Sequence, residues 1–302
     1  MRAIVFESHG GPEVLHLADA PDPQAGPGQV RVRVEAAAVN GWDVKSRAGT
    51  TGGPPPTSPV VPGLEVAGVV DQVGDGVAGV APGDRVVGFA VGGGYAELAR
   101  TSVFARVPAG LAATDAVTLP VAAETATRVL RLLDVRPGET LLVHGASGSV
   151  GELAVQLAVR RGARVIGTAS PRNQERVAAL GATPTTYGAG LVERVRALAP
   201  DGVDAVLDTT GAGVLPDSIT LRGGTERIVT IADDAAADLG VEASWRSERD
   251  AGELAEAVDA LARGDLVTTV GAVLPLADAP RAHALVESGQ AGGKVVLVPL
   301  VP

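Results

Sequence analysis

The stretch "TLLVHGASGSVGELAVQLAVRRG" (140–162) limits the fold of this chain more than any other. An apolar run leads into three glycines spaced three apart, Gly145, Gly148 and Gly151, and an amphipathic run follows and stops at Gly162. A strand that passes through a glycine-rich turn into a helix opens a βαβ unit, and such units require a parallel sheet covered on its faces. The alternation continues downstream. "ARVIGTAS" is a strand, and "PRNQERVAALG" a helix with proline near its start and glycine at its stop. "TPTTYG", "GVDAVLDTTG" and "GGTERIVTIA" are further strands, separated by "GLVERVRALAP" and followed by the helix "AGELAEAVDALARG".

The first third reads differently. "RAIVFES", "QVRVRVEAAAVN", "VAGVVDQVG", "DRVVGFA" and "YAELARTS" are short strands set apart by Gly/Pro turns, which points to a barrel or sandwich. "GTTGGPPPTSPVVPG" (49–63), with four prolines within 54–59, is an extended loop. A helix is expected over "TDAVTLPVAAETATRVLRLLDV", and the apolar tail is free to rejoin the first region. A length of 302 residues suits two cores better than one. The expected division is a first domain at 1–117, completed by 266–302, and an α/β domain at 118–265.

The glycine loop has a direct chemical reading. A tight turn and a backbone free of side chains let pyrophosphate oxygens meet N–H groups at a helix N-terminus, where the dipole favours anions. An ordinary βα turn could carry the same glycines. The second βα unit at the right distance favours dinucleotide binding, with Gly145, Ala146, Ser147, Gly148, Ser149, Val150 and Gly151 as the cradle. An NAD site usually has Asp or Glu about 20 residues on, for the ribose 2′-hydroxyl. Here "VIGTASPRN" supplies Ser170 and Arg172 and no carboxylate. A hydroxyl and a guanidinium suit a 2′-phosphate, so NADPH is the expected cofactor. Ser170 also suits the N-cap of the following helix, which is compatible with that contact.

Composition excludes several classes. Without cysteine there are no disulfides, thiolate metal sites or cysteine nucleophiles. The four histidines show no metal-ligand spacing. A net charge of -10 without a basic cluster argues against nucleic acid as a partner. No signal-like segment and no apolar run of membrane-spanning length is found, so a cytoplasmic protein without a membrane partner is expected. His144, ending an apolar strand, is expected to be a core histidine bonded to backbone. Asp208, ending "AVLD", is expected to be structural.

The segments "AAAVNGWDVKSRAG" (36–49), "VPGLEVAGVVDQVGDGV" (61–77), "PGDRV" (82–86), "VRPGETLLVHGASGSVG" (135–151), "RVAALGA" (176–182) and "GGKVVLV" (292–298), in this order and spacing, resemble the medium-chain dehydrogenase/reductase superfamily. The resemblance is to its zinc-free quinone oxidoreductase (zeta-crystallin-like) branch. It implies a GroES-like β-barrel catalytic domain completed by the tail, a Rossmann domain with a doubly wound parallel sheet, and an active site between them.

It also implies a homodimer and hydride transfer from NADPH to a small acceptor, a quinone or an α,β-unsaturated carbonyl. Asn40 and Thr125 are implied near the nicotinamide or substrate carbonyl, and Tyr187 beside the 2′-phosphate. Thr209 and Gly211 are implied on the nicotinamide path, and Ile231 and Ala232 at its amide. Trp42 and Phe89 are candidates for an apolar substrate wall, and Lys45 for stabilising an enolate or donating a proton. Lys294 matches a family lysine with an expected structural role.

No metal is implied, because Leu64 stands before Glu65 where zinc enzymes of the superfamily have His-Glu. Gly41 replaces a usual proline, Glu124 replaces a usual apolar residue, and "VEASWRSERD" (241–250) is more charged than in relatives. A pathway-specific enoyl or ketone reductase of a natural-product route would carry the same glycine loop. So would a non-catalytic NADPH-binding protein.

Overall fold

The computed structural model describes residues 1–299 and divides the chain into two compact units, one formed by 1–121 with the tail from 249, the other by 122–248. The first unit opens with an antiparallel ribbon, β1 (Arg2–Val5) against β2 (His16–Asp19). The long strand β3 (Val30–Val39) follows, then helix α1 (Gly41–Ala48), β4 (Glu65–Val73), β5 (Arg85–Val91) and β6 (Leu98–Arg106). β3 pairs antiparallel with both β4 and β6, so β3–β4–β5–β6 close on themselves into a small barrel. The alternation of "VRVRV" drives this closure, since a strand sends successive side chains to opposite faces. Val30 and Val32 turn inward against Val70 and Val86, with Phe104 packed on them. The proline segment 49–63 holds no helix, and its Val60 bridges to Phe6.

The helix expected from residue 114 forms in two pieces, α2 (Ala113–Ala116) and α3 (Pro120–Leu132). Pro120 has no N–H to donate to an earlier turn, so it ends continuity and starts the second helix, where a missing N–H costs nothing. In the second unit β7 (Thr140–His144) leads through the glycine loop to α4 (Ser149–Arg160) and β8 (Arg164–Thr168). A 3-10 turn at 171–173 precedes α5 (Gln174–Ala179), where one helix was expected, and β9 (Thr183–Thr185) and α6 (Leu191–Leu198) follow. Next come β10 (Ala205–Asp208), α7 (Leu215–Arg222), β11 (Ile228–Thr230), α8 (Ala236–Leu239) and β12 (Glu242–Ala243). These strands form one parallel sheet in the order β12–β11–β10–β7–β8–β9. The order reverses between β7 and β10, the crevice where such sheets take ligands.

The tail returns to the first unit as α9 (Ala251–Ala262), β13 (Val270–Pro275), α10 (Ala279–Glu287) and β14 (Lys294–Val298). β14 pairs antiparallel with β3 and parallel with β13. α9 lies along β6, so this helix belongs with the first unit and the boundary falls at 248 instead of 265.

Candidate cofactor site and active-site residues

The glycine loop joins the end of β7 to α4, and its glycines do different work. Gly145 has φ +76°, a conformation that L side chains rarely adopt, and a Cβ there would lie 2.5 Å from Thr209 Oγ1. A Cβ on Gly151 would sit 2.1 Å from the Gly145 carbonyl oxygen and 2.9 Å from Ala146 Cα, so glycine is what lets α4 lie against the loop. Gly148 is the N-cap of α4, and a Cβ there would meet nothing closer than the Gly145 oxygen at 3.4 Å. No side chain caps this helix, so its first-turn N–H groups are available to an acceptor from outside the chain.

A buried row of polar side chains ends the neighbouring strands. His144 (β7) faces Thr168 (β8) on one side and Asp208 (β10) on the other, and Asp208 faces Thr230 (β11). Contrary to the expectation of backbone bonding, the imidazole meets hydroxyls: Ser218 Oγ lies 3.1 Å from Nε2 and Thr168 Oγ1 3.4 Å from Nδ1. Ser218 donates its proton to the Val214 carbonyl and so accepts from Nε2–H. Burial pushes His144 down to about 4, opposed by Asp208, so the ring is neutral at pH 7. Asp208 accepts from Thr210 N at 2.8 Å, Thr210 Oγ1 at 2.7 Å and Thr230 Oγ1 at 2.8 Å. It thereby shapes the turn that carries Thr209 and Gly211. Thr230 Oγ1 in turn accepts from Ala232 N, which orders the Ile231–Ala232 corner, and a Cβ on Gly211 would strike the Ala232 oxygen at 2.5 Å. The structure thus brings Thr209, Gly211, Ile231 and Ala232 to the carboxyl ends of β10 and β11.

Beyond β8, Ser170 begins the 3-10 turn, caps nothing with its side chain, and holds a buried hydroxyl that finds no partner among the described residues. Arg172 is exposed and Tyr187 is 59% exposed. Residues that sequence reasoning passed over brace this region. Gln174 Nε2 donates to the Ala169 oxygen at 2.8 Å, and Asn173 Nδ2 to Ser147 Oγ at 3.1 Å. Arg176 donates to the Ser147 oxygen. Arg194 donates to the carbonyls of Ala189 at 2.7 Å and Thr186 at 2.9 Å, holding the turn that carries Tyr187.

Thr125, on α3, is buried, and its hydroxyl donates to Glu124 Oε2 at 3.1 Å. Glu124 also accepts from Arg128 Nε at 2.7 Å and from Glu248 N at 2.8 Å, while Arg128 donates to Ser244. The carboxylate at 124 therefore anchors the charged segment after β12. Neither its burial nor its partners were visible in the sequence.

In the first unit Asn40 is the N-cap of α1. Its side chain bonds Glu65 and Lys294, and its backbone N–H donates to Asp43 Oδ2 at 2.8 Å. Asp43 also accepts from Tyr95 OH at 3.2 Å, and burial lifts its carboxyl to about 7. Lys45 is half-buried on the same helix. Trp42 is 45% exposed. Phe89 is not available as a substrate wall: it is 2% exposed, and the Arg249 guanidinium lies 4.8 Å from its ring centroid.

Two family descriptions match the chain, "Alcohol dehydrogenase GroES-like domain" over residues 26–114 and "Zinc-binding dehydrogenase" over 180–297. The second carries zinc in its name. This chain has no cysteine, and among the described residues no group of three or more His, Cys, Asp or Glu side chains could hold a metal ion. A quinone oxidoreductase of Rattus norvegicus is 31% identical over 99% of this chain and 98% of its own length. Other relatives match over part of their length. The chain spans 53% of a synaptic vesicle membrane protein VAT-1 homolog-like of Mus musculus, at 34% identity. It spans 6% of the pikromycin polyketide synthase component PikAII of Streptomyces venezuelae, at 40% identity over 64% of this chain. Among solved structures, an NAD-dependent alcohol dehydrogenase is 34% identical with a TM-score of 0.87, covering 99% of both chains. A mycobacterial protein complexed with NADPH is 31% identical with a TM-score of 0.87, covering 99% of this chain and all of that one.

Proposed function

Since the chain belongs to the quinone oxidoreductase family of medium-chain dehydrogenase/reductases, we propose that it is an NADPH-dependent oxidoreductase acting without a metal on a quinone or an α,β-unsaturated carbonyl. The observation that carries the cofactor is the cradle: an uncapped helix N-terminus at Gly148, open to approach, behind a loop locked by Gly145 and Gly151. The buried Ser170 hydroxyl, unpartnered among the described residues, beside exposed Arg172, with no carboxylate ending β8, supports the 2′-phosphate form. NADPH bound there supplies the hydride. Backbone N–H groups of Ser149, Val150 and Gly151 hold the pyrophosphate, and Ser170, Arg172 and Tyr187 hold the 2′-phosphate. Thr209, Gly211, Ile231 and Ala232 line the nicotinamide path. The acceptor has to be electrophilic already, because the donor set does not fit zinc and no Lewis acid is built from these residues. Asn40 supplies a hydrogen-bond donor for the oxygen that gains charge, and Trp42 an apolar surface.

A second reading, reduction of an enoyl or keto intermediate in a natural-product route, is favoured by the match to the polyketide synthase component. NADPH oxidation by the chelator-treated protein across quinones and enones, with NADH in parallel, tests both. Turnover with NADPH preferred supports the proposal, and product analysis assigns it: a quinol, against a saturated carbonyl or an alcohol. Binding of NADPH without turnover on any acceptor refutes the quinone and simple-enone reading. Activity that chelation abolishes and zinc restores refutes the metal-free one.

A further inference from the structure

The three-stranded arrangement around β3 assembles a buried triad at its end. Ala38 pairs with Glu65, the first residue of β4, and Val39 pairs with Val295, the second of β14. Continuing that register sets Asn40 opposite Lys294, 254 residues away in sequence, and two residues beyond the partner of Glu65, whose carboxylate its side chain reaches diagonally. Lys294 Nζ donates to Asn40 Oδ1 at 2.6 Å and lies 2.6 Å from Glu65 Oε1. Asn40 Nδ2 donates to Glu65 Oε1 at 2.8 Å, and Glu65 Oε2 takes the N–H of Val121, in the first turn of α3, at 2.7 Å. All three side chains are buried.

The chemistry of the partners fixes the orientation of the amide. Lysine has only donors and an ionised carboxylate only acceptors, so the oxygen must face Lys294 and the nitrogen Glu65. A flipped amide would set NH2 against the ammonium and oxygen against the carboxylate. The backbone of Asn40 is fixed as well, by Asp43, which Tyr95 holds. Among the described residues, one amide N–H finds no acceptor. Donation from Lys294 to the carbonyl oxygen draws electron density from the nitrogen, and hydrogen bonds in such a chain strengthen one another in a low-dielectric interior.

We propose that Lys294 and Glu65 are positioning residues that fix and polarise the Asn40 amide, so that its remaining N–H meets the oxygen of the hydride acceptor as a preorganised donor. The inference rests on the reading of Asn40 given above. Lys294 acts through Asn40 and touches no substrate. It is therefore more than the structural lysine that the family pattern suggests.

Three variants test this: Asn40→Ala, Lys294→Met and the two combined, each assayed with NADPH and 1,4-benzoquinone or cyclohex-2-enone. A single preorganised donor of this kind changes kcat by about 100- to 1,000-fold. Asn40→Ala and Lys294→Met are expected to fall near the low end, with KM for NADPH unchanged. The combined variant is expected to lose no more than either alone, because both act on one amide. Lys294→Arg, which keeps a cationic donor, is expected to recover most of the rate. Additive losses, or wild-type kcat in Lys294→Met, overturn the proposal. Should Lys294→Met fail to fold with Glu65 left unpaired, Glu65→Gln/Lys294→Met removes both charges and serves in its place.

A second readout needs no turnover. The Asn40 side-chain amide protons should give two widely separated NMR resonances that approach each other in Lys294→Met, or in Glu65→Gln/Lys294→Met where that variant replaces it. If wild type oxidises no NADPH but the resonances behave so, the clamp stands and the assigned function falls. Unchanged resonances overturn the clamp itself.

Discussion

Replacing Gly151 and Gly148 by alanine, one at a time, separates the glycine that packs the loop from the glycine that admits the cofactor. A Cβ at 151 would lie 2.1 Å from the Gly145 oxygen and 2.9 Å from Ala146 Cα, both backbone atoms that cannot swing aside. Relief needs α4 to retreat by about 1 Å, and overpacking of a close-packed interior costs ~1–3 kcal/mol. Alanine returns up to about 1 kcal/mol of helix propensity. The net cost is then about 1–2 kcal/mol, a fall in Tm of about 2–8 °C at 2–4 °C per kcal/mol. The same retreat withdraws N–H donors from the pyrophosphate. Losing one charge-assisted bond of ~1.5–3 kcal/mol weakens NADPH by roughly 10- to 100-fold.

At 148 the alanine methyl meets only the Gly145 oxygen, at 3.4 Å, an ordinary contact. Gly148 also has φ -81°, which any residue tolerates. Tm is therefore expected to fall by no more than about 2–4 °C, since an N-cap Gly is preferred over Ala by up to about 1 kcal/mol. Affinity for NADPH is still expected to drop, because the methyl fills the side from which phosphate approaches. Thermal melts and NADPH fluorescence titrations read both. If Gly148→Ala keeps the wild-type Kd, the phosphates do not approach there. Wild-type Tm and Kd in Gly151→Ala would refute the packing argument outright.

Arg172→Ala is expected to weaken NADPH by about 10- to 100-fold, one lost ionic hydrogen bond, while NADH affinity stays put; equal weakening of both by calorimetry contradicts the 2′-phosphate assignment. Glu124→Leu leaves the buried Arg128 without its carboxylate, at a cost on the order of 3–5 kcal/mol, whereas Glu124→Leu/Arg128→Met should recover much of it. Equal denaturant midpoints for the two variants would show that the pair anchors nothing. Burial holds His144 and His283 near 4, so the stability they contribute is complete above about 6.5, their ordinary value, and is lost as pH falls toward 4. Asp43, raised to about 7, has the opposite sign: its contribution is complete below about 4 and fades as pH rises through 7. The two histidines outweigh the one carboxyl, so Tm is expected to be lower at pH 4.5 than at pH 7, and Asp43→Asn should steepen that fall. A shallower fall in Asp43→Asn would reverse the sign assigned to that group.

The α/β half was legible because strand, glycine turn and helix each leave a local pattern of the right period. The helix break at Pro120 was also written locally, and an apolar run on either side concealed it. Which sheet a helix covers is another matter. The amphipathic face of "AGELAEAVDALA" says that it is half-buried and nothing about whether it lies on β6 or on the parallel sheet. The same holds for the active-site residues. Asn40 could be picked out by resemblance, but its dependence on Glu65 and Lys294 follows from the register of β14, β3 and β4, and register is settled by pairing across the whole sheet. Phe89 failed as a substrate wall for a related reason: its aromatic character is in the sequence, while the arginine that caps it arrives from residue 249.

The polar row at the ends of the parallel strands links this packing to the chemistry of the cradle. A carboxylate and an imidazole sit side by side where an anionic cofactor is expected, and a free carboxylate there would repel it. Asp208 instead spends its oxygens on Thr210 and Thr230, so its charge is met by donors inside the protein. His144 cannot supply a compensating positive charge, since burial keeps it neutral. Neutrality is what its partners need. Thr168 Oγ1 accepts from Gly145 N at 3.2 Å, which directs the hydroxyl proton toward Nδ1, and only an unprotonated Nδ1 can receive it. Thr209 closes the other side by donating to the His144 carbonyl at 2.8 Å. The first glycine of the loop is therefore held by a hydrogen-bond chain that uses no net charge. The attraction for a pyrophosphate is left to backbone N–H groups and the dipole of α4, and that preference for an anion does not depend on titration near neutral pH.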